Sequence, residues 1–338
     1  MTNIKNDQKF IIITSIFPPT AAVAAFAQLE GWQLIVVGDD KSPANWHVDG
    51  AMFLPVALQS KSGFCIEPLL PHNHYVRKNI GYLTAMRMGS TIVFDTDDDN
   101  YPLSNWTTVP FIGTFLLSES NRGFVNVYKS FTSQAIWPRG FPLERISIPE
   151  ANNDMHVSAS MKDVQIGIWQ GLANGDPDVD AIYRMIVNQA CDFDTREPLV
   201  LGARTFCPFN SQNTMFREEM FPLLYLPSTV TFRFTDILRG LIAQPIMQAA
   251  GYYLGFHNAT VVQKRNPHIY LRDFEQEIPC YLHAQRVIDI VLSAIHKGCT
   301  ITENLILAYE RLAAAKIVTA KEILLLNAWI KDIADCMS

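Results

Sequence analysis

Short apolar runs separated by helical stretches fill the first part of the chain. Phe10 to Ile16, Leu34 to Val37, Ala51 to Leu54 and Thr91 to Phe94 are four such runs, rich in β-branched and aromatic residues. Runs of this length and composition predict buried strands. Their alternation with helical stretches, among them His74 to Met88, predicts an α/β fold with a mixed, mostly parallel sheet flanked by helices. After about Glu277 the period changes. Val287, Ile288, Val291, Leu292 and Ile295 recur at helical spacing, and Thr300 with Glu303 and Thr319 with Glu322 read as capping boxes opening further helices. The chain therefore divides into a sheet-bearing domain over residues 1–277 and a helical extension over 278–338, expected to pack on the core. The apolar faces of that extension alternatively offer a surface to a partner or a second copy of the chain.

In open sheets of this class ligands lie beyond the carboxyl ends of the strands. The polar residues at those ends are Thr14 and Ser15, Asp39 and Asp40, and the run Asp95-Thr96-Asp97-Asp98-Asp99-Asn100. Carboxylates placed this close repel one another unless a cation joins them, which points to a divalent metal. Oxygen ligands favour Mg²⁺ or Mn²⁺ over zinc. A solvated acidic turn is the plain alternative. A calcium loop of the EF-hand type needs Gly at its sixth position and Glu at its twelfth, where Asn100 and Trp106 stand, so that reading fails. A phosphatase-type Asp-x-Asp fits locally but is expected near a first strand. What remains is the Asp-x-Asp of a nucleotide-sugar glycosyltransferase, whose carboxylates hold a metal that binds the diphosphate leaving group. Before the run, Arg77 and Lys78, followed by the Asn79 amide, place basic residues where a phosphate contact or a solvated helix face would serve.

Composition narrows the partners. With 338 residues, 49% hydrophobic and 18% charged, the chain can bury a large core in one or two domains. A net charge of −6 leaves no basic footprint, which argues against a nucleic-acid partner. No apolar run reaches the roughly 18 residues of a spanning helix. The polar start, Met1 to Lys9, is unlike a signal peptide, so a cytoplasmic location is expected. Six cysteines without a Cys-x-x-Cys pair suit scattered thiols in a reducing compartment.

Three segments in order resemble the STELLO-type glycosyltransferases: Phe94 to Pro102, Asp176-Pro177-Asp178-Val179-Asp180-Ala181, and Thr235-Asp236-Ile237-Leu238-Arg239-Gly240. The resemblance is expected to run from Phe10 to about Glu277 and to leave the helical tail outside. A more distant similarity, carried by the triple Asp, Arg139 to Pro142, and Gly167-Ile168-Trp169 leading to Asp178-Val179-Asp180-Ala181, links the chain to the reversibly glycosylated polypeptides, the plant UDP-arabinopyranose mutases. Both families imply a GT-A fold, a nucleoside-diphosphate sugar, foremost a UDP-sugar, and Mn²⁺ or Mg²⁺.

The resemblance also implies roles. Asp97 and Asp99 become metal ligands, Asp97 foremost, with His268 as a later one; a partly buried structural histidine is the alternative for His268. Asp95 joins them at the diphosphate, since alternation along an extended segment would put Asp95, Asp97 and Asp99 on one side. Arg139 is expected to contact the diphosphate or donor sugar through its planar fork, or else to be a surface residue beside a proline turn. Asp236 stands where a general base for the acceptor hydroxyl is expected, or caps the helix Ile237 to Ala250. Asp178 and Asn210 offer a carboxylate and an amide to sugar hydroxyls, although Gly175 to Asp180 also makes a good turn and cap before a helix Ala181 to Asn188. From the strand ends and the helix before the acidic run, rather than from the resemblance, Thr14, Ser15, Asp39, Lys78 and Asn79 complete the nucleotide-sugar set. The expected activity is sugar transfer to a saccharide acceptor in polysaccharide or glycoconjugate synthesis. A pyranose/furanose mutase acting on UDP-sugars, or a non-catalytic scaffold for polysaccharide enzymes, are the alternatives.

Overall fold

The computed structural model describes residues 8–266 and 268–337. Met1 to Asp7, part of the polar start, Pro267 and Ser338 lie outside the described residues. The amino-terminal half contains β1 (Gln8–Thr14), α1 (Ala21–Phe26), β2 (Trp32–Val37), β3 (Ala51–Leu54), α2 (Val56–Gln59), α3 (Lys78–Arg87) and β4 (Ser90–Thr96). The four apolar runs thus become four strands, paired in parallel in the order β3-β2-β1-β4. Both faces of these strands are covered, which is why the runs are continuously apolar rather than alternating. Phe10 and Ile12 point into one apolar core, Ile11 and Ile13 into the other. Helix α3 lies tight on the first face: a Cβ at Gly81 would meet methyls of Ile12 and Val37 at 2.7 Å. The helix expected from His74 begins instead with a 3₁₀ turn, Tyr75–Arg77, whose first N–H groups are capped when the His74 ring accepts from Val76 N.

Beyond β4 the sheet becomes mixed. It continues through β5 (Asn100–Pro102), β6 (Ile112–Leu117), β8 (Ser160–Gly175), β9 (Leu199–Val200), β11 (Asn213–Arg217) and β12 (Tyr253–Gln263), while β7 (Gly123–Phe124) and β10 (Thr205–Phe206) form a separate pair. Antiparallel β11 joins β4 to β8, and β8 pairs in parallel with β12. Helix α4 (Ala181–Ile186) is capped by the Asp180 carboxylate, which accepts from Tyr183 N at 2.8 Å. Helix α5 (Thr235–Ala249) is buried along nearly its whole length.

The tail comprises α6 (Tyr270–Ala294), α7 (Ile301–Ala314) and α8 (Lys321–Met337), and Glu277 lies inside α6. Val287, Ile288, Leu305 and Trp329 join the larger core. The Thr300–Glu303 capping box forms as expected. The second box does not, because Glu322 is buried and turned to another element: its carboxylate accepts from Ser228 N, Thr229 N and the Tyr225 hydroxyl. Asp332 does the same elsewhere, accepting from Cys65 N at 2.7 Å and Ile66 N at 2.9 Å. No helix among the described residues is long and apolar enough to cross a membrane.

Candidate functional site

Two recesses meet beyond the carboxyl ends of β1, β2 and β4. The first, about 220 Å³, is lined by Thr14, Ser15, Gly38, Asp39, His74, Tyr75 and Phe232 among others. The second, about 260 Å³, holds Asp97, Asp98, Asp99, Arg139, Asp178, Asn210, Asp236, Gln263, Arg265 and His268. Thr14, Tyr75, Asp98 and Phe232 line both. The wall between them is aromatic: His74 stacks on Tyr75 with centroids 5.5 Å apart, and Phe232 meets Tyr75 edge-on at 4.5 Å. Burial, outweighing nearby Asp39, pushes His74 down to about 4, so this ring is neutral at neutral pH.

The acidic run is divided by where β4 ends. Asp95 is still inside the strand, fully buried, and bridges Lys78 at 2.7 Å and Arg239 at 2.8 Å. The expectation that Asp95 faces the diphosphate is therefore corrected, since its charge is spent holding two buried cations. After Thr96 the backbone turns, so strand alternation stops before Asp97. Lys78 and Asn79 are corrected with Asp95. Lys78 is buried beneath the run, donating to Thr96 O at 2.6 Å and Asp97 Oδ1 at 3.1 Å. Asn79 exchanges two hydrogen bonds with the Leu226 backbone and lines neither recess.

Asp97, Asp98 and Asp99 do face the second recess. The Asp97 side chain is 42% exposed within it. Burial, outweighing Lys78, together with the Asp99 and Asp95 carboxylates, pushes Asp97 up to about 7. Burial likewise pushes Asp98 up to about 6, against the Ser15 hydroxyl that donates to Asp98 Oδ2. Burial raises Asp99 as well, against the Gln263 amide, which donates to its Oδ2 at 3.1 Å. Asp99 Oδ1 is buried with no hydrogen-bond partner.

Opposite the run sits a clamp. Arg139 donates to Asp178 through Nε and Nη2 at 2.9 and 2.8 Å, and to Asp236 through Nη1 and Nη2 at 3.0 and 2.8 Å. Burial alone would raise Asp178, but Arg139, with Arg233 and Arg265 behind it, holds that carboxyl below the usual range. Asn210 Nδ2 adds a bond to Asp178 at 2.7 Å. Both Asp236 oxygens are further engaged, Oδ1 by the Tyr75 hydroxyl at 3.4 Å and Oδ2 by Ser211 N at 3.3 Å. Two expectations change here. Asp236 is no helix cap, since α5 starts at Thr235 without a side-chain cap. Arg139 is neither a surface residue nor a spare cation for a diphosphate, because two carboxylates already offset its charge.

The remaining expected residues gather at the crevice. Thr14 ends β1 and touches both recesses. Asp39 lines the first recess while its oxygens accept from Asp40 N at 2.8 Å and His74 N at 3.0 Å, fixing the loop. His268 lines the second recess, with Nδ1 bound to Asp273 Oδ2 at 2.8 Å. Reading the sequence left out Tyr75, Phe232 and Gln263 as site residues, and marked Arg265 only as one of two cations, with Lys264, shortly before His268. Phe232 stands four residues before Asp236, Gln263 ends the last long apolar strand, and Arg265 follows it by two residues in a basic pair with Lys264.

Among the described residues, the one group of three metal-capable side chains with converging ligand atoms is Asp39, Asp40 and His72, of which Asp39 lines the first recess and the other two are exposed. Asp97 to Asp99 do not converge in that way.

Fold and crevice define an α/β protein with a polar crevice at the carboxyl ends of a parallel sheet segment. Its likeness among known proteins is to the STELLO glycosyltransferases: residues 233–337 match the family model of that description. The chain is also 28% identical over 345 residues to two proteins of Arabidopsis thaliana named "Probable glycosyltransferase STELLO1" and "Probable glycosyltransferase STELLO2". Those alignments cover 96% of this chain and 44% of each relative, so the chain spans less than half the length of the curated relatives it matches. The likeness was expected to end near Glu277; the family match instead runs through α6, α7 and α8. A solved structure titled "Crystal Structure of a Mycobacterial Protein" aligns with 83% of this chain and 75% of its own at 9% identity and a TM-score of 0.39, too weak a likeness to bear on fold or function.

Proposed function

We propose that this chain is a glycosyltransferase that takes a nucleoside-diphosphate sugar, foremost a UDP-sugar, and transfers the sugar to a saccharide acceptor. The observation that carries the reading is the pairing of an aromatic recess with a carboxylate-lined chamber at the strand ends. A nucleoside is flat and apolar at its base, whereas a sugar diphosphate is polar and charged. In this reading the neutral His74, Tyr75 and Phe232 receive the base, and Thr14 and Asp39 face the ribose. The STELLO likeness supports the same reaction class.

Asp97 and Asp99 fit Mg²⁺ or Mn²⁺. Their donors are hard oxygens, Asp99 Oδ1 is buried without a partner, and Asp97 faces the chamber. Two protein carboxylates suffice for such an ion when substrate phosphates and water supply the rest. Bound there, the ion would offset charge on the leaving diphosphate. Lys78 keeps Asp97 in place from beneath. Arg139 orients Asp178 towards the sugar and holds Asp236 beside Tyr75. Every oxygen of Asp236 is engaged, so the geometry favours a positioning role for it over that of a general base, which needs a free lone pair for the acceptor hydroxyl.

The test is calorimetric titration of UDP-sugars in Mn²⁺ with wild type and Asp97→Ala. Wild type is expected to bind with micromolar affinity that chelation abolishes, and Asp97→Ala to lose about 100-fold or more. Full binding by the folded Asp97→Ala protein removes the metal reading. Ring isomers formed from a UDP-sugar without acceptor would turn the assignment from transferase to mutase.

A further inference from the structure

The chamber contains three arginines, and their partners separate them. Arg139 is committed to Asp178 and Asp236. Arg233 is committed to Glu277 through two bonds of 2.7 and 2.9 Å. Arg265 is different. Its side chain is only 9% exposed, its Nε is buried without a hydrogen-bond partner, and its ion pair with Asp273 is long, at 3.7 Å, to an oxygen that His268 already binds at 2.8 Å. A guanidinium taken out of water needs its donors satisfied, so an unfinished one facing a chamber marks where an anion completes it.

We infer that Arg265 receives an oxygen of the terminal phosphate of the donor's diphosphate, across the chamber from Asp97 and Asp99. The inference rests on the nucleotide-sugar reading above and adds a residue that reading lacks. Its position is fixed by the acidic run itself. Gln263 pairs with Asn100 in the sheet and donates through Nε2 to Asp99 Oδ2, and Lys264 N donates to Asp99 O at 3.0 Å. The two residues preceding Arg265 are thus latched to the carboxylate expected to hold the metal. Arg265 lines only the second recess, away from the aromatic wall, which puts it beyond reach of the nucleoside and selects the terminal phosphate over the first. A phosphate held between a divalent ion and an arginine fork has charge offset on both sides. Burial, with Arg233 next, pushes Arg265 down to about 10, in keeping with a cation short of anionic company.

The experiment compares UDP with UMP, both in Mn²⁺, on wild type, Arg265→Gln and Arg265→Lys. Arg265→Gln is expected to weaken UDP about 10-fold and UMP by less than about twofold, with Arg265→Lys between wild type and Arg265→Gln for UDP. Equal weakening of UDP and UMP, or of neither, overturns the inference. If Arg265→Gln melts early, the UDP-to-UMP affinity ratio of Arg265→Lys decides: an unchanged ratio overturns the inference and a lowered one supports it. Wild type binding neither nucleotide removes the nucleotide-sugar reading itself, an outcome distinct from a selective loss that never appears.

Discussion

The acidic run and the helical tail both bury carboxylates, and they treat them differently. Asp332 and Glu322 in α8 are buried and finished: each receives two backbone N–H groups, and Glu322 a tyrosine hydroxyl as well. Asp97, Asp98 and Asp99 are crowded at the crevice, pushed up by burial, and Asp99 keeps an oxygen without a partner. A carboxylate completed by the fold is a fastener. One left incomplete beside a chamber is waiting for something outside the fold. Asp95 shows that sequence adjacency does not decide which kind a residue is, for it stands two residues from Asp97 yet belongs with the fasteners.

The comparison breaks most readily at Asp95. Asp95→Ala leaves Lys78 and Arg239 buried without their shared anion, and a loss of about 3–5 kcal/mol in urea denaturation is expected. A loss below about 1 kcal/mol would mean that Asp95 is not a fastener. Next comes Asp332→Ala, which strips the Cys65 and Ile66 N–H groups of their acceptor. About 2–4 kcal/mol is expected from two orphaned donors, with nucleotide affinity unchanged in the fraction that remains folded. Weakened nucleotide binding by folded Asp332→Ala would show the tail acting on the site rather than merely holding the fold together.

Much of the fold was legible because its signals are local. Four apolar runs fix four strands, and Thr300 with Glu303 fixes a helix start through contacts three residues apart. The Thr319–Glu322 box failed because a distant loop, residues 225–229, competes for Glu322, and a sequence pattern carries no record of that competitor. Strand ends and clustered charge point to Thr14, Asp39, Asp97 and Asp99, whereas Arg139, Asp178, Asn210, Asp236 and His268 are reached through the family resemblance and the motifs around it; all nine line the crevice. Which charges are already spent was not legible. Arg139 and Arg265 look alike in the sequence, and only the positions of Asp178 and Asp236 beside one of them tell the neutralised cation from the available one.

The smallest effect gives the sharpest contrast. Asp97 is pushed from its ordinary value of 3.8 up to about 7, so between those values the folded chain keeps a proton that the unfolded chain has released. The contribution of this group to stability is therefore greatest at low pH, falls as pH rises through that window, and is a net cost above it. Asp97→Asn removes the cost, and Lys78 keeps Asp95 and the Thr96 carbonyl as partners. The variant should melt with wild type near pH 4 and about 1–3 °C above it near pH 8, a modest figure because the side chain is partly exposed and screened. Adding Mn²⁺ at the higher pH should raise wild type and leave the variant unmoved, since an ion that binds only the folded protein stabilises it. An Asp97→Asn protein that melts below wild type at high pH would place Asp97 with Asp332 and Glu322, among the groups the fold has already completed, and the contrast between the two regions would be lost.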